Sequence, residues 1–371
     1  MKNPFTPRFA IQPPLLVGRD EILADFEEAL EDYGAPANAS LITGPRGSGK
    51  TVLLHRFEEL ARQKKWQVLQ VSTRPGILDE LVSTHLPELL NQLEKPQKKL
   101  KQAGFTAFGT GGSLGWEAPP APAPSFRSLL FRAADLAEQQ GGGLLLTLDE
   151  VQREAIADLR VITQEVQHAF RENKRLVFAA AGLPRAVSDL LNDNVLTFLR
   201  RSERFVLGPV DPEDVRQALQ VPAQQQGKPF SQEALDLAVE GTRGYPYLIQ
   251  SVGRYSWDFA RQKPEIGFKE AELGVAKARR KVGQLVHEPA LAALSDIDRS
   301  FLAAMAVDRG PSKVADLIER LSISPQYANT YRQRLMEQEM VFSPRRGYLD
   351  FTLPYLREYL QEHAAREQFE A

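Results

Sequence analysis

The sequence predicts an α/β fold built on a doubly wound parallel sheet, followed by helices and a C-terminal unit of three helices and a hairpin. Five short apolar runs alternate with helical patterns between residues 39 and 207, which is typical of a parallel sheet covered by helices. After Pro212 no further strand pattern occurs until residue 340. The length of 371 residues, at roughly 100–200 residues per domain, predicts two or three domains.

Changes in hydrophobic period define the elements of the sheet region. Residues 22–30 carry apolar side chains at helical spacing, and the short apolar run 39–43 has the length of a buried strand. The run at 143–148 is apolar apart from Thr147, as expected for a strand buried on both faces. The same criteria predict further helices at 51–63 and 78–93 and further strands at 66–71, 175–180 and 205–207.

The rest of the chain is predicted as a small helical domain and a separate C-terminal unit. We expect domains at 1–210, 211–285 and 290–371, with a Gly- and Pro-rich insertion at 94–125 in the first. The insertion is either a mobile surface segment or a hairpin that touches a partner or DNA. The predicted elements are helices 213–221, 231–240, 245–262, 268–285, 296–307, 313–321 and 325–339, and strands 340–343 and 348–353.

Composition excludes several classes of protein. Forty-six basic and 48 acidic residues leave a net charge of −2, which argues against a strongly cationic coat. The absence of cysteine excludes disulfides, thiol catalysis and zinc fingers, and the five histidines have no metal-ligand spacing. The first residues contain prolines where a signal peptide needs an apolar run, and no later run reaches membrane-spanning length. We therefore expect a cytoplasmic protein with no membrane partner.

One motif carries a specific chemistry. Residues 44–51 match G-x-x-x-x-G-K-[ST], between a predicted strand and a predicted helix. Glycines let successive main-chain amides point into one concavity, and the helix N-terminus adds partial positive charge. Lys50 is expected to reach the outer phosphates and the Thr51 hydroxyl to ligate Mg²⁺, so the cofactors are ATP and Mg²⁺. The predicted nucleotide-binding residues of this P-loop are Gly44, Pro45, Arg46, Gly47, Ser48, Gly49, Lys50 and Thr51.

A second acidic motif follows the predicted strand at 143–148. Asp149 is expected at the carboxyl edge of the sheet, where it would hold Mg²⁺ through water. Glu150 is placed to orient the attacking water, because phosphoryl transfer depends mainly on positioning and charge neutralisation. The sequence therefore predicts an ATPase.

Together with these motifs, two segments make the chain resemble the AAA+ ATPases, in particular the archaeal-ATPase and replication-initiator-like branch, which grades into signalling P-loop ATPases. These segments are Val17-Gly18-Arg19, before the first helix, and Gly244-Tyr245-Pro246, after the sheet. The resemblance covers residues 14–262 and the C-terminal unit. It implies that Val17, Gly18 and Arg19 lie beside adenine, and that residues 211–285 form a lid with Gly244 and Pro246 near the base.

The resemblance also implies an arginine that neutralises charge in the transition state. Arg200 and Arg201, expected at the end of the helix before the fifth strand, are the candidates for action on a neighbouring subunit, and Arg243 or Arg254 for action from the lid. One feature departs from the family pattern. The fourth strand ends Ala-Ala-Ala-Gly at residues 179–182, where AAA+ enzymes usually carry a polar residue. We therefore expect slow hydrolysis, suited to a switch.

Three helices followed by a hairpin predict a winged helix at the C-terminus. Tyr327, Leu335 and Met336 are expected to face inward. Between residues 312 and 346 there are six basic and four acidic residues, a modest excess for a DNA-binding protein. The predicted DNA contacts are Gln326, Asn329, Thr330 and Arg332 on the third helix, and Arg345 and Arg346 at the wing tip.

The sequence thus predicts an ATP-dependent switch that positions a winged helix on double-stranded DNA. The alternative is a signalling or scaffold ATPase whose winged helix binds a protein partner or inhibits the same chain, without DNA. Homo-oligomers fit either interpretation, because the arginines at 200 and 201 are predicted to act on a neighbouring subunit.

Overall fold

A computed structural model describes residues 2–8, 12–32, 34–102, 124–192 and 197–370. The chain divides into two compact units. The sheet unit comprises Glu21–Thr43 and Leu53–Val206. The lid unit comprises Met1–Asp20, Gly44–Val52 and Leu207–Ala371.

The sheet unit contains the predicted parallel sheet. Its strands are β1 (Ala39–Thr43), β2 (Gln67–Ser72), β3 (Leu144–Val151), β4 (Leu176–Gly182) and β5 (Glu203–Val206). The order across the sheet is β2-β3-β4-β1-β5, and every neighbouring pair is parallel. All five predicted strands are therefore present. The apolar run of β3 is fully buried from Leu144 to Leu148, as expected for a strand covered on both faces.

Seven helices of the described chain accompany this sheet. They are α1 (Asp20–Glu31), α2 (Lys50–Gln63), α3 (Ile77–Glu80), α4 (Leu86–Gln102), α5 (Phe126–Gln139), α6 (Ile156–Arg171) and α7 (Pro184–Asn192). The helix expected at 78–93 is interrupted by a π-helical turn, Leu81–His85, and continues as far as Gln102. The first residues of the predicted insertion are thus helical. Its predicted hairpin, at 105–116, lies outside the described residues.

The lid unit has an apolar core of its own. Its helices are α8 (Pro212–Gln225), α9 (Gln232–Thr242), α10 (Pro246–Phe259), α11 (Phe268–Val282) and α12 (Glu288–Ala292), with a π-helical turn at Gly283–His287. Asp211 and Ser231 cap α8 and α9 through their side chains. Phe5, from the N-terminal segment, is completely buried in this core. The entry segment therefore packs on the lid helices.

The C-terminal part of the lid unit contains the predicted three helices and hairpin. In chain order its elements are α13 (Asp296–Ala306), β6 (Ser312–Lys313), α14 (Val314–Leu321), α15 (Pro325–Glu337), β7 (Val341–Phe342), β8 (Tyr348–Phe351) and α16 (Leu356–Glu370). The strands form an antiparallel sheet in the order β6-β8-β7. Phe301, Leu317 and Leu335 fill the core. Strand β6 and helix α16 were not predicted, because two residues carry no periodicity and α16 is barely amphipathic.

Among the described residues, no helix combines the length and apolar character needed to cross a bilayer. The sequence predicts the same.

Candidate nucleotide site

The residues from Gly44 to Gly49 follow β1, and α2 begins at Lys50. The Lys50 ammonium donates to the main-chain oxygens of Gly44 (2.6 Å) and Pro45 (2.9 Å), so its side chain folds back over the loop. The Ser48 hydroxyl is buried and has no hydrogen-bond partner among the described residues. A positively charged loop at a helix N-terminus, with an unpartnered hydroxyl, suits a phosphate group.

Tyr245, from the lid, closes one side of this loop. Its hydroxyl donates to the Arg46 main-chain oxygen at 2.6 Å. Gly47, with φ of +75°, has no room for a side chain, because a Cβ there would lie 2.1 Å from the Tyr245 oxygen. Burial raises the pKa of Tyr245 above its ordinary value, so the hydroxyl stays protonated and can donate. In the sequence Tyr245 stands out only as the middle residue of Gly-x-Pro, and no role is predicted for it.

The turn before α10 and the entry segment meet the same part of the lid unit. The Val210 amide donates to the Gly244 oxygen at 2.8 Å, and a Cβ on Gly244, with φ of +67°, would lie 2.4 Å from the Val210 oxygen. Pro246 is the first residue of α10, where its missing N–H costs no hydrogen bond. The fold thus requires a glycine and accepts a proline here for local reasons.

The predicted adenine-side residues also contact the lid. Val17 packs against the lid core. Arg19 donates to the Gly208 oxygen at 3.0 Å, and burial lowers its pKa while Asp214 acts in the opposite direction. A Cβ on Gly18 would lie 2.9 Å from the Asp214 carboxylate. The segments 17–19 and 244–246 therefore both border residues 208–214, and their predicted position beside adenine stays a prediction.

Asp149 and Glu150 lie where β3 reaches the carboxyl edge of the sheet. The pairing of β3 with β4 shifts register between Leu148 and Val151 of β3, which leaves the two acidic residues in a bulge. Glu150 has φ of +54°, is exposed, and donates its amide to the Asp149 carboxylate at 2.8 Å. A left-handed glutamate costs free energy and is common at functional sites. Gly182 of β4 pairs with both Val151 and Thr43, so β1 ends at the same edge.

A buried carboxylate lies behind this edge. Glu58 of α2 is completely buried and accepts a hydrogen bond from the Thr147 hydroxyl of β3 at 2.8 Å. Burial raises its pKa, and the Thr147 hydrogen bond partly offsets that shift. Sequence analysis missed Glu58, since a helical glutamate ordinarily faces solvent. A threonine inside an otherwise leucine-rich strand was the available signal.

Arg200 and Arg201 occupy a 3₁₀ turn, Thr197–Arg201, rather than the end of an α-helix. Both are exposed, and Arg200 donates to the Leu191 oxygen at 2.8 Å. They precede β5, whose Glu203 pairs with Ser40 near the start of β1. The two arginines therefore lie at the amino edge of the sheet, opposite Asp149 and Glu150.

The two lid arginines predicted as candidates for charge neutralisation form ion pairs within the lid unit. Arg243 is ion-paired with Glu358 and lies 3.9 Å from the centre of the Tyr355 ring. Arg254 pairs with Asp258 at 3.2 Å.

At the C-terminal surface, the predicted DNA-contacting residues differ in exposure and ion pairing from the remaining basic residues. Gln326, Asn329 and Thr330 are exposed on α15, Arg332 is half-buried, and Arg345 and Arg346 are exposed in the turn after β7. The remaining cations are paired: Arg320 with Asp308 at 2.8 Å, Arg334 with Asp298 at 2.8 Å and Lys313 with Asp316 at 4.0 Å. The inward orientation predicted for Tyr327 and Met336 is wrong: their exposed fractions are 62% and 37%, because Ala328 and Leu335 fill the inner face of α15.

The sheet order and the loop after β1 define the class as a P-loop ATPase fold. Residues 15–178 match the family model described as AAA ATPase domain, and residues 284–360 match a domain of unknown function, DUF8462. Residues 15–178 are therefore similar to an AAA ATPase domain, and the predicted resemblance to AAA+ ATPases is confirmed. The predicted enzyme class, an ATPase, is confirmed as well.

Solved structures agree on the fold. The Walker-type ATPase of Pyrococcus abyssi is 16% identical over 93% of this chain and 96% of that chain, with a TM-score of 0.64. The ORC2 protein of Aeropyrum pernix, in ADPNP–ADP complexes, is 15% identical over 98% of both chains, with a TM-score of 0.60. No curated protein matches the chain. At these identities the likeness is one of fold.

Proposed function

We propose that the protein is a slowly hydrolysing ATP switch whose nucleotide state positions a C-terminal winged helix on duplex DNA. The observation that carries this proposal is the hydrogen bond from Tyr245, at the start of lid helix α10, to the main chain of the phosphate loop. A ligand that rearranges the loop acts directly on the lid through this bond. A nucleotide can shift the lid only by binding its two arrangements with different affinity.

The path continues within the lid unit to the C-terminal elements. The Tyr355 hydroxyl donates to the Gly241 oxygen at 2.8 Å, next to the turn that carries Tyr245. Arg243 pairs with Glu358 of α16 beside it. These contacts join the lid helices to the C-terminal segment, which supports coupling between nucleotide binding and the C-terminal surface.

Each predicted residue receives a role in this proposal. The main chain of residues 44–49 and Lys50 bind the phosphates, Thr51 and Asp149 hold Mg²⁺, and Glu150 orients water. Residues 17–19, 244 and 246 border the base, and Arg200 and Arg201 act on the nucleotide of a neighbouring copy, since they lie at the amino edge of their own sheet. Bound Mg²⁺ would neutralise phosphate charge. The end of β4, buried and apolar from Phe178 to Gly182, supports slow turnover.

The order helix–strand–helix–helix–strand–strand in residues 296–351 supports the winged-helix interpretation. Helix α15 would then enter the major groove, and the turn carrying Arg345 and Arg346 would contact phosphates. Among the described residues, Arg332, Arg345 and Arg346 take part in no ion pair, so their charge is available to DNA.

Exposed apolar side chains favour a second candidate, a protein partner in place of DNA. Tyr327 and Phe342 have exposed fractions of 62% and 44%. Exposed apolar side chains of this size are common in protein interfaces.

Anisotropy titrations of labelled duplex DNA with Mg-ATP or Mg-ADP separate the two functions. We expect affinity to differ between the nucleotides and to fall with salt. The double variant Arg345→Glu/Arg346→Glu should bind at least about tenfold more weakly and lower the salt slope by about 2. The matched control, Arg261→Glu/Lys269→Glu, changes two exposed lid cations and should behave like the wild type. Absence of binding at 50 mM salt would rule out DNA and favour the protein partner.

A further inference from the structure

A buried carboxylate lies in the turn between α15 and β7. Glu339 is only 8% exposed, and neither carboxylate oxygen has a hydrogen-bond partner among the described residues. Its φ is +59°, a left-handed conformation that glutamate rarely adopts. Its amide donates to the Met336 oxygen at 3.1 Å, and the Met340 amide donates to the Leu335 oxygen at 3.0 Å, which holds the turn. A buried, unpartnered carboxylate is costly, so it requires a compensating charge or a function.

The charges that act on this carboxylate belong to the phosphate loop. Burial raises the pKa of Glu339 to about 7, and the positive charges of Lys50 and Arg46 oppose that shift. Neither oxygen of Glu339 makes a hydrogen bond within the described chain, so the carboxylate feels the charges of these two side chains without a hydrogen bond to them.

A cavity brings the phosphate loop and the C-terminal hairpin together. Its volume is about 490 Å³, and it is lined by Pro45 and Ser48 of the loop and by Phe342, Asp350 and Phe351 of the C-terminal hairpin. The phosphate loop and the hairpin that follows Glu339 therefore border one space. Thr352 also lines this cavity, and its amide donates to the oxygen of Met340, the residue after Glu339, at 3.1 Å.

We propose that Glu339 and the phosphates of the nucleotide compete for the positive charge of Lys50 and Arg46, so that nucleotide binding expels the turn between α15 and β7. This inference rests on the proposed function, because it requires residues 44–51 to bind ATP. A triphosphate and a carboxylate have the same sign of charge, and burial limits the water that would screen their repulsion. The Glu339 side chain thus competes with the nucleotide phosphates. Its release acts directly on α15, the predicted DNA-contacting helix, which ends two residues before it.

The other contacts of the C-terminal elements limit how far this movement extends. The bond from Tyr355 to Gly241 and the ion pair between Arg243 and Glu358 hold the start of α16 on the lid, and neither involves Glu339. Expulsion of Glu339 should therefore loosen residues 325–342 and leave residues 353–360 in place.

The test replaces Glu339 with its neutral isostere in the full-length protein. Glu339→Gln should bind Mg-ATP about tenfold more tightly by calorimetry, because the competing charge is gone while the shape is kept. Hydrogen exchange in residues 325–342 should rise on addition of Mg-ATP to the wild type. In the variant it should already be raised without nucleotide. The matched control is Glu319→Gln, an exposed carboxylate on α14, which should match the wild type in both measurements.

Two outcomes would overturn the inference while leaving the proposed function intact. Unchanged affinity in Glu339→Gln, with wild-type binding measurable, would show that the carboxylate does not compete. Weaker binding would show that Glu339 instead helps Lys50 to bind phosphate. If the wild type binds no Mg-ATP, the proposed function itself fails. Should Glu339→Gln not fold, Glu339→Asp keeps the charge but withdraws it by one methylene, and affinity equal to the wild type would reject competition.

Discussion

The phosphate loop and the C-terminal surface are both candidate sites for phosphate groups, but they are built differently. At the loop, main-chain geometry and one lysine form the site, and the Lys50 ammonium is held by two carbonyls of the loop itself. At the C-terminal surface, side chains alone are available, and Arg320 and Arg334 are already paired with buried or half-buried aspartates.

The two sites differ in how well the sequence alone describes their charge. A loop whose function comes from its backbone keeps that function wherever the motif occurs between a strand and a helix. A basic surface is only as strong as the cations left after internal pairing, and half of the six cations between residues 312 and 346 are paired. The comparison makes nucleotide binding the firmer expectation and DNA binding the one that experiment must decide.

The largest effect on nucleotide affinity is expected at the phosphate loop. Lys50→Ala should weaken Mg-ATP binding by about 100-fold, since a charged hydrogen bond to phosphate is worth about 3 kcal/mol. Isothermal calorimetry measures it. Lys64→Ala, a lysine paired with Glu31 in the sheet unit, is the control and should leave affinity unchanged. Equal affinity in Lys50→Ala would show that the loop does not bind the nucleotide.

A second variant tests whether the bulged end of β3 contributes chemistry. Glu150→Gln should keep Mg-ATP affinity within about threefold and lower turnover about 100-fold, as loss of a general base does. Steady-state phosphate release measures turnover. Glu154→Gln, an exposed glutamate in the following turn, should retain full turnover. Wild-type turnover in Glu150→Gln would show that another group orients the water.

The smallest effect is expected for a variant that removes only one neutral hydrogen bond between the lid and the loop. Tyr245→Phe should weaken Mg-ATP binding about fivefold, which corresponds to ~1 kcal/mol. Tyr255→Phe, on the same helix and without a bond to the loop, is the matched control. If Tyr245→Phe binds like the wild type, the Tyr245 hydroxyl does not transmit loop geometry to the lid.

Much of the fold followed from local patterns. Every strand of the parallel sheet was predicted within about three residues at its ends, because buried parallel strands are continuous apolar runs between helical segments. The 3₁₀ turn that contains Arg200 and the π-helical turn before α4 were not predicted, since neither leaves a periodic signature. The prediction that Tyr327 faces inward is wrong for a related reason. Polar and apolar residues are not clearly separated along α15, so packing selects which face is buried.

The P-loop and the acidic strand end could be predicted from local sequence, because both depend on residues adjacent in the chain and on backbone geometry that glycine, lysine and aspartate permit locally. The ion pairs of the arginines, the contact of Tyr245 with the loop and the electrostatic effect of Lys50 on Glu339 become visible in the folded chain alone. Those contacts join residues separated by about 200 to 300 positions, and nothing in a local pattern encodes which distant side chains share a desolvated space.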